Sequence, residues 1–168
     1  GLPASGSGDI APFTALNSNN SASVAAIRVT PTANGCLGTE KMFTITVNPT
    51  PNVVQQPNQS LCNGATTNAI TFTGAMNSAT YSWSNSNPSI GLAATGTGNI
   101  AGFAAINTGN APVTATITVT PATNLCTGAP ITFTITVHPT PLVAARNDAN
   151  VCLGNSIQLS ASGASDYY

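Results

Sequence analysis

One phrase occurs twice in this chain: residues 45–53 read ITVNPTPNV and residues 135–143 read ITVHPTPLV. Sliding the sequence by 90 positions also aligns Gly1 with Gly91, Cys36 with Cys126 and Cys62 with Cys152. No gap is needed, and 28 of the 53 positions in 1–53 are identical to those in 91–143. A period of that length is too long for a solenoid unit and suits one small β-sandwich domain. The 168 residues hold less than two such periods. The Pro-Thr-Pro phrases set the expected boundaries: residues 1–48 are the C-terminal part of one repeat, 49–139 a complete repeat, and 140–168 the N-terminal part of the next. Pro49, Pro51, Pro139 and Pro141 are then inter-domain joints, stiffened because proline fixes its own φ and holds its predecessor extended. The chain is out of phase with these units. Gly1 matches a glycine in mid-domain and Tyr168 falls about where Tyr81 stands, so a section of a longer repeat protein is expected.

The local pattern is that of strands. In Thr114–Thr120, Ala115, Ile117 and Val119 alternate with four threonines; in Ile131–Val137, Ile131, Phe133, Ile135 and Val137 alternate with three. Period-two alternation of this kind marks strands with one face turned inward, and the turn-rich PATNLCTGAP between them predicts an antiparallel hairpin. Ala25–Thr30 and Phe43–Val47 repeat it upstream. Further strands are expected at 53–56, 69–73, 79–84 and around 100–106, and none of the chain reads as helix because Gly, Pro, Asn and β-branched residues recur too often. About seven short strands in each 90-residue repeat predict an all-β chain of tandem immunoglobulin-like antiparallel β-sandwiches. Its expected core includes Trp83, Ile117, Val119, Phe133, Ile135 and Val137. The threonine rows are expected on the solvent side, with few charges to guard the sheet edges against pairing with other chains.

Composition narrows the function. Only 4% of residues are charged, against about 25% in an average soluble domain. No Asp, Glu, Lys or Arg lies between Lys41 and Arg146, so the complete repeat carries no formal charge. Nucleic acid and anionic membrane are excluded as electrostatic partners, since both require clustered Lys or Arg. No apolar run is long enough for a membrane helix. Disorder is not expected either, because 42% of residues are apolar and regularly patterned.

Catalysis needs positioned acids, bases, nucleophiles or metals, and the complete repeat offers one histidine and no carboxylate. His138 stands in the joint where the earlier repeat has Asn48, which makes it a linker residue. GTGNIAG, residues 96–102, resembles a phosphate loop but has no following helix and no lysine, so it is read as a turn. No catalytic residue, cofactor or metal site is expected. The cysteines, Cys36, Cys62, Cys126 and Cys152, fit no zinc-site spacing and point to an oxidising, extracellular setting. Connectivity stays open. Cys62–Cys126 within one repeat is preferred, beside Cys36–Cys62 with Cys126–Cys152, a bond to a neighbouring repeat, or four free thiols.

Cys-Asn-Gly at 62–64, Tyr-Ser-Trp at 81–83, Gly-Thr-Gly-Asn-Ile at 96–100, and Cys-Thr-Gly at 126–128 followed by TFTITVHPTP resemble the PKD-like, immunoglobulin-like repeats of large surface proteins of Bacteroidota. The resemblance covers the whole chain. It implies a secreted, cell-surface adhesin or fibre of the type IX-exported kind, although the calcium-binding Asp of some such modules has no counterpart in 49–139. The expected function is therefore a structural repeat of a long extracellular filament or adhesin shaft, acting as spacer and assembly unit. Its expected partners are neighbouring repeats and other copies of the same protein, with no nucleic acid and no membrane insertion. The alternative is a carbohydrate-binding sandwich, for which Tyr81 and Trp83 are the candidate platform.

Overall fold

The computed structural model describes residues 1–145, 150–158 and 160–163. Its strands are β1 (Ser23–Val29), β2 (Thr32–Ala33), β3 (Cys36–Leu37), β4 (Lys41–Val47), β5 (Gln59–Cys62), β6 (Thr80–Asn85), β7 (Thr95–Thr97), β8 (Val113–Ala122), β9 (Ile131–His138), β10 (Ala144–Ala145) and β11 (Ala161–Ser162). A short 3-10 turn, Pro88–Ile90, is capped by Asn87, whose side chain accepts from Ser89 N. The match of Tyr168 to Tyr81 falls outside the described residues.

Five of these strands form one sheet in the order β5-β9-β8-β6-β7. The β8–β9 hairpin lies at its centre, pairing Ala115 with Ile135, Ile117 with Phe133 and Val119 with Ile131. Opposite residues of an antiparallel pair share a face, so the apolar members of both strands line up inward and the threonines outward. The second layer is looser. It consists of extended segments held by the bridges Thr66–Ala104 and Ile70–Ile100 and by Val54 N donating to Thr73 O at 2.8 Å. Val53, Ile70, Phe72, Ile100 and Ala105 from this layer close over Ala115, Ile117, Val119, Phe133, Ile135 and Val137, with Ile90 and Leu92 filling one side. The all-β sandwich is thus built as expected, from five strands and three bridged segments.

The expected strands at 69–73 and around 100–106 are extended segments joined only by the isolated bridges Thr66–Ala104 and Ile70–Ile100, and two further details differ from the sequence reading. Residues 53–56 do not make a regular strand, because the chain changes layers there. Pro57 has no N–H to offer a ladder, and the amides around it serve β9 directly: Gln55 Nε2 donates to Thr132 O at 2.7 Å, and Thr134 N donates to Asn58 Oδ1 at 2.8 Å. The chain then runs on as β5, which pairs with β9 in parallel, so one edge pair departs from the antiparallel rule. The edge of β9 is covered by β5 and by amide side chains rather than by charge.

The hairpin of residues 23–47 repeats that of 113–138 in register. Ala25 faces Ile45 and Ile27 faces Phe43, the pairs found 90 residues later. Their surroundings differ. Val119 is 0% and Phe133 2% exposed, whereas Val29 is 47% and Phe43 46% exposed. The hairpin β1–β4 has no second layer over its apolar face among the described residues. At the other end, β10 pairs Ala144 with Ser162, the counterpart of the Val54–Thr73 contact with one residue fewer between.

This asymmetry gives a direct expectation. Phe133→Ala should destabilise the complete repeat by roughly 3–5 kcal/mol, and Phe43→Ala should leave its stability unchanged. Trp83, the one tryptophan in the chain, reports the unfolding of the complete repeat, so urea titration by its fluorescence checks this. Equal shifts for the two variants would contradict it.

Candidate functional site

The residues on which a function can rest are gathered at the two ends of the complete repeat and on the outer face of its five-stranded sheet. At the N-terminal end, Pro49 and Pro51 are buried. The backbone of Gly128, in the β8–β9 turn, lies so close to Pro51 that a Cβ there would collide with the Pro51 carbonyl oxygen and meet the Pro121 ring at 2.9 Å. Asn52 Oδ1 accepts from Ala75 N at 2.8 Å. Asn48 and Pro49 line one cleft with Met76, Ser78, Thr123, Asn124 and Leu125. Pro49 and Pro51 are therefore held by the β8–β9 turn and by the segment around Ala75.

The C-terminal joint is held differently. Asn63, next to Cys62, donates from its backbone N–H to His138 O at 2.8 Å and from Nδ2 to Thr140 Oγ1 at 3.3 Å. Its Oδ1 accepts from Asn107 N at 2.8 Å. Asn107 is itself buried, donating to Ala111 O at 2.9 Å and Val137 O at 2.7 Å and accepting from Gly109 N at 3.0 Å. Pro139 is half-buried and Pro141 exposed. Sequence reasoning missed Asn63 and Asn107. The Cys-Asn-Gly turn was visible, but its tie to the joint depends on the layer change at Pro57, which no local pattern announces.

The outer face is a plate of hydroxyls. Register places Thr95, Ser84, Thr118 and Thr132 in one row across four strands, Thr97, Ser82 and Thr120 in a second, and Thr114, Thr136 and Ser60 in a third. Thr114 and Thr136 are hydrogen-bonded through their hydroxyls at 2.9 Å. Such cross-strand pairs stabilise the sheet by a few tenths of a kcal/mol to about 1 kcal/mol each.

Trp83 faces the other way. It pairs with Val119 and Gly96, is half-buried, and packs on the core. Its ring occupies the space above Gly96 that any side chain there would need. Its Nε1 is buried without a partner. Tyr81 lies against Phe72, with ring centroids 5.8 Å apart. Both aromatics are on the core side of β6, away from the hydroxyl plate. GTGNIAG, expected as a turn, supplies strand β7 and Gly96, and so makes the floor for the indole. Ile117, Val119, Phe133, Ile135 and Val137 are all buried.

Ser60 Oγ and His138 Nε2 are 3.0 Å apart on the exposed side of β5 and β9. No carboxylate exists in the complete repeat to orient the imidazole. Among the described residues, no group of three or more His, Cys, Asp or Glu stands close enough to hold a metal ion. Among the described residues, no helix is long and apolar enough to cross a membrane.

The preferred pairing of Cys62 with Cys126 is not formed: no two of the four cysteines are bonded to each other in this structure, with Cys126 half-buried and the others exposed. The reason is distance. Cys62 pairs with His138 at one end of β9, and Cys126 precedes the other end. At ~3.3 Å per residue along β9 the two are on the order of 20 Å or more apart, and a disulfide requires Cα atoms within about 7 Å.

Residues 59–141 match the family model of the PKD-like domain, and a search of curated proteins finds no match for the chain. The matched segment, just under half of the chain, takes in all five strands of the sheet, so this part of the chain is similar to a PKD-like domain. PKD-like domains are immunoglobulin-like modules that occur chiefly in extracellular proteins.

Gly96→Val should force the indole off its floor at a cost of about 1–3 kcal/mol. The emission of Trp83 should shift to the red; an unchanged spectrum and stability would show that the ring does not lie there.

Proposed function

We propose that the complete repeat is a non-catalytic spacer and assembly unit of a long extracellular surface filament or adhesin shaft. Repeats of this kind run in tandem through stiff Pro-Thr-Pro joints. The observation that carries this reading is the hairpin written twice in one register, followed each time by the same joint. Its first occurrence runs directly into prolines buried in the next repeat. A module gripping its predecessor's last strand by Pro49 and Pro51 transmits orientation along the chain, which a flexible linker does not.

The chemistry of the surface agrees. A plate of hydroxyls without charge packs beside a copy of itself without desolvating ions, so lateral association between copies belongs to the proposal. A secreted Bacteroidota surface protein of the type IX-exported class is the setting proposed, on the resemblance of the repeat motifs alone. With Tyr81 and Trp83 committed to the core side of β6, the glycan-binding alternative has no aromatic platform on the outer sheet face.

Arrays of increasing repeat number provide the test. With strands along the axis each repeat adds on the order of 40 Å, so the maximum dimension in small-angle scattering should grow in proportion to repeat number. Growth as the square root of repeat number, the behaviour of domains on flexible tethers, would refute the proposal.

A further inference from the structure

The two cysteines of the complete repeat sit at its two joints. Cys62 ends β5, beside His138, which is the last residue before Pro139. Its neighbour Asn63 holds both His138 and Thr140. Cys126 lies in the β8–β9 turn at the opposite end, where its N–H donates to Thr123 Oγ1 at 3.2 Å and its carbonyl accepts from Thr123 N at 2.8 Å. That turn grips the other joint through Gly128 and Pro51.

The repeat register connects the two ends. Asn48 is the 90-residue counterpart of His138. A preceding repeat built like this one therefore places its own counterpart of Cys62 on the strand next to Asn48, paired with it as Cys62 is with His138. Asn48 lines one cleft with Thr123, Asn124 and Leu125, the residues leading directly to Cys126. The thiol at the end of one repeat and the thiol at the start of the next are brought to the same joint. Within a repeat they are kept a whole strand apart.

We propose that Cys126 forms a disulfide with the Cys62 counterpart of the preceding repeat, and that Cys62 bonds to the Cys126 counterpart of the following one. Each Pro-Thr-Pro joint then carries one covalent clamp. The inference rests on the tandem-array reading above. In forming the bond the two thiols release two protons and two electrons to a disulfide oxidant, whose own S–S bond is reduced to two thiols as the new one forms. The clamp supplies a second covalent path across the joint, parallel to the backbone, and removes the torsional freedom that a lone Pro-Thr-Pro segment retains. It also assigns a reason to the pattern of one cysteine at each end of an otherwise uncharged module.

Nonreducing peptide mapping of the full secreted protein, purified with free thiols blocked by N-ethylmaleimide, tests this. The expected result is a peptide containing Ser60–Gly64 joined to the peptide bearing the Cys126 counterpart of the next repeat. The peptide containing Cys126 should be joined to its predecessor in the same way, and both links should vanish on reduction. Recovery of Cys62 and Cys126 as N-ethylmaleimide adducts, or joined to each other, overturns the proposal. Scattering from the same sample separates the two levels. A stiff, extended particle with blocked thiols defeats the clamp alone, whereas a coiled particle with blocked thiols defeats the array reading with it.

Discussion

The inner face of the β8–β9 hairpin is what the rest of the structure serves. Ala115, Ile117, Val119, Phe133, Ile135 and Val137 form a continuous apolar surface that one sheet cannot hide from water. Fully burying each of the larger side chains is worth about 1.5–3 kcal/mol. Every feature of the second layer follows from that demand, including the bridged segments at 66–73 and 100–104, the chain crossing at Pro57, and the turn that lowers Ile90 and Leu92 onto the core. Among the described residues, the same hairpin at 23–47 has the pattern and register without the cover. A two-stranded hairpin alone is barely stable in water, so the repeat, not the hairpin, is the folding unit.

A domain without charge must satisfy its irregular backbone by other means, and here asparagine does so. Asn52, Asn58, Asn63, Asn85, Asn99 and Asn107 each accept a backbone N–H that no ladder provides for. Buried Asn85 and Asn107 also donate to backbone carbonyls. An amide offers both donors and acceptors, and its burial avoids the desolvation cost of an ion. The composition that looks low in complexity is therefore a working set: threonine for outer faces, apolar β-branched residues for inner faces, and asparagine for the crossings between them.

How much of this was legible depended on whether the determinant was local. Ile117, Val119, Phe133, Ile135 and Val137 were readable because alternation fixes which face a residue takes. The expected joints rest on prolines that recur at a fixed interval. Strands β5 and β7 were not: Gln59–Cys62 and Thr95–Thr97 lack apolar alternation and are strands only because β9 and β6 present free edges to them. The intra-repeat disulfide failed for a related reason. Cysteine spacing says nothing about which end of a sheet each residue reaches, and the parallel pairing that puts Cys62 beside His138 is a tertiary fact. Trp83 was expected in the core and lies half-buried against it, but the dependence of its indole on Gly96 was hidden behind an apparent phosphate loop.

The central claim is that this hairpin becomes a stable element only when a second layer from its own repeat covers it. Amide hydrogen exchange, read residue by residue, tests that claim most directly because both copies of the hairpin are present in one chain. In the 168-residue segment by itself, the amides of β8 and β9 should exchange only through global unfolding of the repeat, while those of β1 and β4, although paired in the same register, should exchange by local opening at far smaller free energy. Equal protection of the two hairpins would contradict the account.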